Sequence, residues 1–162
     1  MTQLRIDRAT ESDTGAILSL IKELAAYEAM SDHVVATEAN IAQALFGNPP
    51  TAEALLARAG DDDEVVGFAL FFHTYSTFLG RRGLYLEDLF IKCEARGKGY
   101  GRRLLVELAR IAVTRGCGRV EWSVLDWNEL AQASYRKAGA QPLNEWTVWR
   151  LAGEDLVRLA RE

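Results

Sequence analysis

Three alternate glycines, Gly97, Gly99 and Gly101, lie in the run Arg96-Gly97-Lys98-Gly99-Tyr100-Gly101, with Arg102 and Arg103 directly after it. Glycine has no Cβ, so this spacing lets the backbone come close to a ligand and adopt φ > 0 where needed. The run leads into an apolar-periodic helix, whose first turn has N–H groups without intrahelical partners and partial positive charge. With Arg96, Lys98, Arg102 and Arg103 added, these features predict an anion cradle whose natural guest is a phosphorylated cofactor. Immediately upstream, Leu84 to Ile91 read LYLEDLFI, a largely buried strand interrupted by two carboxylates, Glu87 and Asp88.

Two phosphate-binding classes are excluded. A nicotinamide-type dinucleotide site has GxGxxG after the first strand and an acidic residue about twenty positions on. Here the glycines lie in mid-chain with GxGxG spacing, and the next strand ends VLDWN. A nucleoside-triphosphate P-loop requires GK[ST], which does not follow.

RGKGYG after LYLEDLFI resembles the acetyl-CoA pyrophosphate loop of the GCN5-related N-acetyltransferases (GNAT). IKELAAYE, LYLEDLF, VLDWNE and SYRKAGA further resemble the diamine (spermidine/spermine) acetyltransferase branch, including its thialysine-type members. Matching segments run in order from about Leu4 to Trp149. The loop points only to the superfamily, whereas AYE, YLED and DWNE together are more specific.

The resemblance implies acetyl-CoA as co-substrate. Its binding residues would be the main chain of Leu89, Phe90 and Ile91, the loop residues Arg96, Gly97, Lys98, Gly99, Tyr100, Gly101 and Arg102, and Asn128, Glu129 and Ala131. An alkylammonium has a pKa near that of lysine, about 10.4, so acetyl transfer to an amine needs a proton acceptor. Glu87 interrupts an apolar strand beside the cradle and would serve as base through a water; the alternative is a carboxylate paired with a nearby arginine. A backbone N–H near Leu89 would meet the developing oxyanion. Tyr135 follows Asn128 by seven residues, placing both on one helix face, and matches the family's general acid for the leaving thiolate.

Tyr27, Glu28 and Asp88 match positions lining the amine pocket, and Glu121, Trp122 and Ser123 would contribute a wall. Two positions depart from the polyamine pattern. The loop reads Tyr75-Ser76-Thr77-Phe78 without an acid, and Thr147 stands where polyamine-type relatives have glutamate. Fewer distal anions argue against a long polycation, and the hydroxyls of Ser76 and Thr77 are available for an amino-acid headgroup. The expected activity is acetylation of a small primary amine, either a thialysine- or lysine-like amino acid or a diamine. The alternatives are acetylation of a protein or peptide amine, and a non-catalytic CoA-binding module.

At 162 residues the expectation is a single domain spanning 1–162. The start MTQLRIDRATESD has no apolar signal core, and no stretch approaches the ~20 apolar residues of a membrane span. Cys93 and Cys117 read as two reduced thiols of a cytoplasmic protein, and His33 and His73 are too scattered for a metal site. A net charge of −4 argues against a nucleic-acid-binding face and suits a cationic amine.

The elements that must position these residues follow from pattern. Leu4 to Arg8 alternates as a strand, and Thr10 or Ser12 can cap a helix that runs out near Tyr27-Glu28. Glu38 to Phe46 is a second amphipathic helix, stopped by Gly47 and Pro49-Pro50. Ala52 to Ala59 is helical by propensity, but family resemblance favours a strand in a hairpin with Val65 to Phe72. After a loop from Ser76 to Gly83 come the strand 84–91, a helix to about Arg115 and a strand from Arg119 to Leu125. A helix opened by Asn128, a last strand from Glu145 to Leu151 and a short helix over 154–161 complete the chain. Together these predict a mixed α/β fold with a mostly antiparallel central sheet flanked by helices. The apolar Trp146, Val148 and Leu151 of the last strand, together with the pairing of relatives, predict a homodimer.

Overall fold

The computed structural model describes residues 4–162; the first three residues of the polar start lie outside them. The chain falls into two compact units, one ending at Ser123 and the other running from Val124 to Glu162, and each is described by itself.

In the first unit five strands form one sheet in chain order: β1 (Arg5–Arg8), β2 (Glu53–Ala59), β3 (Glu64–Ser76), β4 (Arg81–Ile91) and β5 (Val120–Trp122). The first three pairings are antiparallel and β4–β5 is parallel. A parallel pair needs a crossover, and helix α3 (Tyr100–Thr114) supplies it. Helices α1 (Thr14–Tyr27) and α2 (Glu38–Phe46) join β1 to β2.

Alternation along the strands feeds two cores. Leu55, Ala57, Phe71, Leu84 and Leu86 pack with Leu104, Leu108 and Ala112 of α3. Ala54, Leu56, Phe68 and Phe90 pack with Ile17, Leu20, Ile41 and Leu45 of α1 and α2. This two-sided burial explains why AEALLARA is a strand. Both of its alternating faces are covered, and that burial, worth about 1.5–3 kcal/mol for each large side chain, outweighs helix propensity of a few tenths per residue. The β3–β4 hairpin is longer than its sequence suggested, because the pairs Thr74↔Gly83, Tyr75↔Arg82 and Ser76↔Arg81 extend the ladder into the expected loop.

In the second unit, α4 (Glu129–Lys137) is capped by Asn128, whose Oδ1 accepts from the Ala131 N–H at 3.2 Å. Helix α5 spans Gly153–Leu159. The strand expected over Glu145–Leu151 is absent. Alternation is present there, but a strand exists only with a ladder partner, and the segment has none among the described residues. Trp146, Val148 and Trp149 are left exposed, Trp149 to 90 %.

Candidate active site

The site is built where β4 outruns β5. Their pairing ends at Leu86↔Trp122, while β4 stays paired to β3 as far as Ile91. Among the described residues of this unit no strand pairs with the β5 side of residues 87–91, and an extended ligand arm could add there as a strand would.

At the same point β4 carries a β-bulge. Leu70 pairs with Asp88 and Phe71 with Leu86, so Glu87 is the extra residue. One added residue inverts the alternation. Leu84 and Leu86 lie in the α3 core, yet beyond the bulge it is Leu89 and Ile91 that pack on that side, while Phe90 enters the α1–α2 core. Without the bulge Leu89 and Ile91 would face the opposite side, so the doublet Glu87-Asp88 marks where the pleat resets. Phe90 and Ile91 are buried, and their side chains face the two cores.

After a short turn at Cys93–Ala95 comes the glycine loop. Gly97 and Gly99 have φ of 77° and 79°, and a Cβ at either would meet nothing within 4 Å. Backbone conformation therefore requires glycine at both positions, and the space beside them is open. Gly101 instead lies against the side chains of Leu89 and Ile91, at 3.6 and 3.8 Å. Gly99 is the N-cap of α3, and Tyr100 buries its ring in the α3 core, fixing the first turn. Lys98, Arg102 and Arg103 are exposed beside these free N–H groups. Open left-handed glycines, helix-start N–H groups and exposed cations without an ion pair among the described residues fit a pyrophosphate.

The carboxylates form a second feature. Burial foremost, and then the charges of Glu87 and Glu28, push the Asp88 carboxyl up to about 6. Burial also raises Glu28, which directly follows α1. None of Glu28, Glu87 and Asp88 has an ion pair among the described residues. Several other carboxylates of the unit are paired, among them Glu53 with Arg115, Asp13 with Arg58, and Glu121 with Arg119 at 2.6 Å. Partly buried, uncompensated negative charge is costly unless a cation joins it. A cluster of this kind can receive one.

The remaining expected residues divide. Tyr27 ends α1 with its ring centroid 6.5 Å from that of Phe90. Arg96 does not point freely toward the cradle. Its Nε donates to the Ile91 carbonyl at 2.9 Å, and its guanidinium lies 4.3 Å from the Tyr27 ring centroid and 5.2 Å from that of Phe90. Trp122 packs toward the α3 core, whereas the Ser123 hydroxyl is 3.0 Å from the Tyr85 phenol oxygen. Glu121 is engaged by Arg119, so the expected wall is not a set of free polar groups. The Ser76 hydroxyl, expected to be available to substrate, is buried and accepts from the Leu79 N–H at 3.2 Å. In the second unit Tyr135 is half-buried on α4, and Asn128 spends its side chain on the cap, with Glu129 opening the helix. Sequence reasoning did not find the bulge or the Arg96 stack. The change of apolar parity across Glu87-Asp88 was a readable signal for the first.

Comparison with known proteins agrees with this geometry. Residues 19–140 match the model of the acetyltransferase (GNAT) family. The chain belongs to this family. Among curated GNAT relatives, a thialysine N-epsilon-acetyltransferase from Bos taurus is 39 % identical over 99 % of both chains. An L-ornithine N5-acetyltransferase from Arabidopsis thaliana is 33 % identical, covering 94 % of this chain and 86 % of the relative. Among solved structures, an integron cassette protein from V. cholerae superposes with a TM-score of 0.81 at 29 % identity, covering 98 % of each chain. This GNAT protein is thus an acyltransferase of the diamine and thialysine branch, as its motifs implied. No helix among the described residues is long and apolar enough to cross a membrane.

Proposed function

We propose that the protein transfers the acetyl group of acetyl-CoA to a primary amine of a small molecule, a thialysine- or lysine-like amino acid in preference to a long polyamine. The carrying observation is the uncompensated trio Glu28, Glu87 and Asp88 beside the free edge of β4 and the glycine cradle. These carboxylates would hold one ammonium, and the relatives named above act on amino acids carrying such a group. The cradle at 97–102 would hold the pyrophosphate, and main-chain groups of Leu89, Phe90 and Ile91 the extended arm. Acetyl-CoA supplies an activated thioester.

Glu87, exposed at the bulge, would take the ammonium proton through a water, and the Leu89 N–H would face the oxygen that gains charge. Tyr135 would donate to the departing thiolate, with Asn128, Glu129 and Ala131 of the α4 start lining the donor site. Tyr27 and Glu28 would close the amine end. The protein is further proposed to act as one catalytic domain over 1–162, in the cytoplasm, as a homodimer whose partner covers the exposed Trp146, Val148 and Trp149.

Purified protein supplied with acetyl-CoA and equal concentrations of thialysine and spermine tests the acceptor. Thialysine is expected to be acetylated faster, because a long polycation gains up to about 1 kcal/mol for each further exposed carboxylate, and Ser76 and Thr147 offer none. Faster acetylation of spermine overturns the acceptor assignment. Absence of thiol release with every amine of a broad panel overturns the acetyltransferase reading of the site.

A further inference from the structure

We propose that Arg96 is a positioning residue that ties the phosphate-binding loop to the acceptor end of α1, so that donor and acceptor sites bind cooperatively. The inference rests on the proposed function for its kinetic consequences and on geometry for the tie itself.

Arg96 opens the glycine loop, and its sequence context suggests another cation for phosphate. Its guanidinium is committed elsewhere. Nε donates to the Ile91 carbonyl at 2.9 Å, at the end of β4, and the planar group lies over two rings, at 4.3 Å from Tyr27 and 5.2 Å from Phe90. Phe90 is a fixed wall of the α1–α2 core, 4 % exposed. Tyr27 is different. It is the last residue of α1, it is 36 % exposed, and the chain leaves the helix immediately afterwards through Ala29 at φ 57°. Glu28 lies between the two, and its charge is felt by Asp88. The position of Tyr27 thus sets that of Glu28, and Arg96 is one of the groups holding Tyr27.

Lys98, Arg102 and Arg103 supply exposed positive charge to the same loop, so Arg96 is not needed for attraction alone. Only arginine can combine a hydrogen bond along its edge with stacking on two ring faces; lysine keeps the charge and loses both the fork and the plane. An anion that orders residues 96–99 therefore also orders Tyr27 and Glu28, and by linkage an ammonium held at Glu28 tightens donor binding by the same factor.

The test is a double-mutant cycle on R96K and Y27L, with Tyr27→Phe as the ring-preserving control. Each single variant is expected to raise the amine KM about fivefold, the worth of one stacking contact, with little change in kcat. The double variant should be no worse than either alone, because both break the same tie. In a Tyr27→Phe background, which keeps the ring under the guanidinium, R96K should still raise the amine KM about fivefold. Multiplying effects, or an R96K variant with a raised acetyl-CoA KM and an unchanged amine KM, overturn the proposal. A second measurement does not depend on turnover. Amide hydrogen exchange across residues 26–30 of the unliganded protein should be faster in both R96K and Y27L, and unchanged exchange also overturns it. If the wild-type protein acetylates no amine, the proposed function fails, while the exchange experiment still decides the tie.

Discussion

Asp88 shows how neighbours change the meaning of a residue. A carboxyl with an ordinary value of 3.8 is pushed to about 6 by burial, Glu87 and Glu28. The folded protein then holds this proton more tightly than the unfolded chain does. Its contribution to stability is therefore most favourable below about pH 4, declines as pH rises through the window to about 6, and is flat above it. A bound ammonium favours the ionised form, so amine binding should expel a proton and strengthen as pH climbs through 6. Amine KM measured from pH 5 to 8 should fall across that range in the wild type and lose most of this dependence in Asp88→Asn. At the same scale, Tyr135→Phe removes only a hydroxyl. It should leave acetyl-CoA affinity intact and lower kcat by about 10²–10⁴-fold if the phenol is the general acid. A loss below tenfold, in steady-state assays with saturating amine, would count against that role.

At the scale of elements, two helix ends meet the site, and each uses a left-handed residue. The α3 start does so at Gly99, where any side chain is strained and would enter the open space of the cradle. Gly99→Glu adds a like charge as well as bulk, and calorimetry should find no acetyl-CoA binding to a protein that circular dichroism reports as folded. The α1 end turns at Ala29, with Met30 N–H donating to the Ala25 carbonyl at 2.7 Å and Ala29 N–H to that of Ala26 at 3.1 Å. Glycine is the usual residue at such a stop, and a Cβ there costs roughly 1–2 kcal/mol. Ala29→Gly should therefore raise the thermal midpoint by a few degrees, the gain offset in part by greater chain entropy in the unfolded state. A lowered midpoint would mean that Ala29 makes contacts outweighing its strain.

At the scale of the whole molecule, the stretch before α5 leaves Trp146, Val148 and Trp149 open to solvent. Large exposed apolar groups in a row are the mark of a surface that a partner covers. Light scattering at micromolar concentration should give twice the chain mass, and replacing Trp146 and Trp149 with serine should shift it toward the monomer. A monomeric wild type would end the dimer proposal.

Much of this protein was legible in its residues. The alternate glycines with their flanking cations, the strand before them and the amphipathic helix after them are local patterns, and they locate the cradle without any tertiary information. The two carboxylates in LYLEDLFI likewise mark an interruption of an apolar strand, where charge is costly if buried. Other features depend on what lies opposite. AEALLARA has the propensity of a helix, and only a sheet covered on both faces makes it a strand. The segment Glu145–Leu151 has the alternation of a strand and is not one, because a ladder needs a second strand that local pattern cannot supply. The bulge at Glu87 exists only relative to Leu70 and Phe71 across the sheet, yet it decides which carboxyl is buried. Arg96 and Tyr27 lie 69 positions apart in the chain. Their contact could be settled only when α1 and the glycine loop were folded against the same strand, which places the Arg96 guanidinium over the Tyr27 ring.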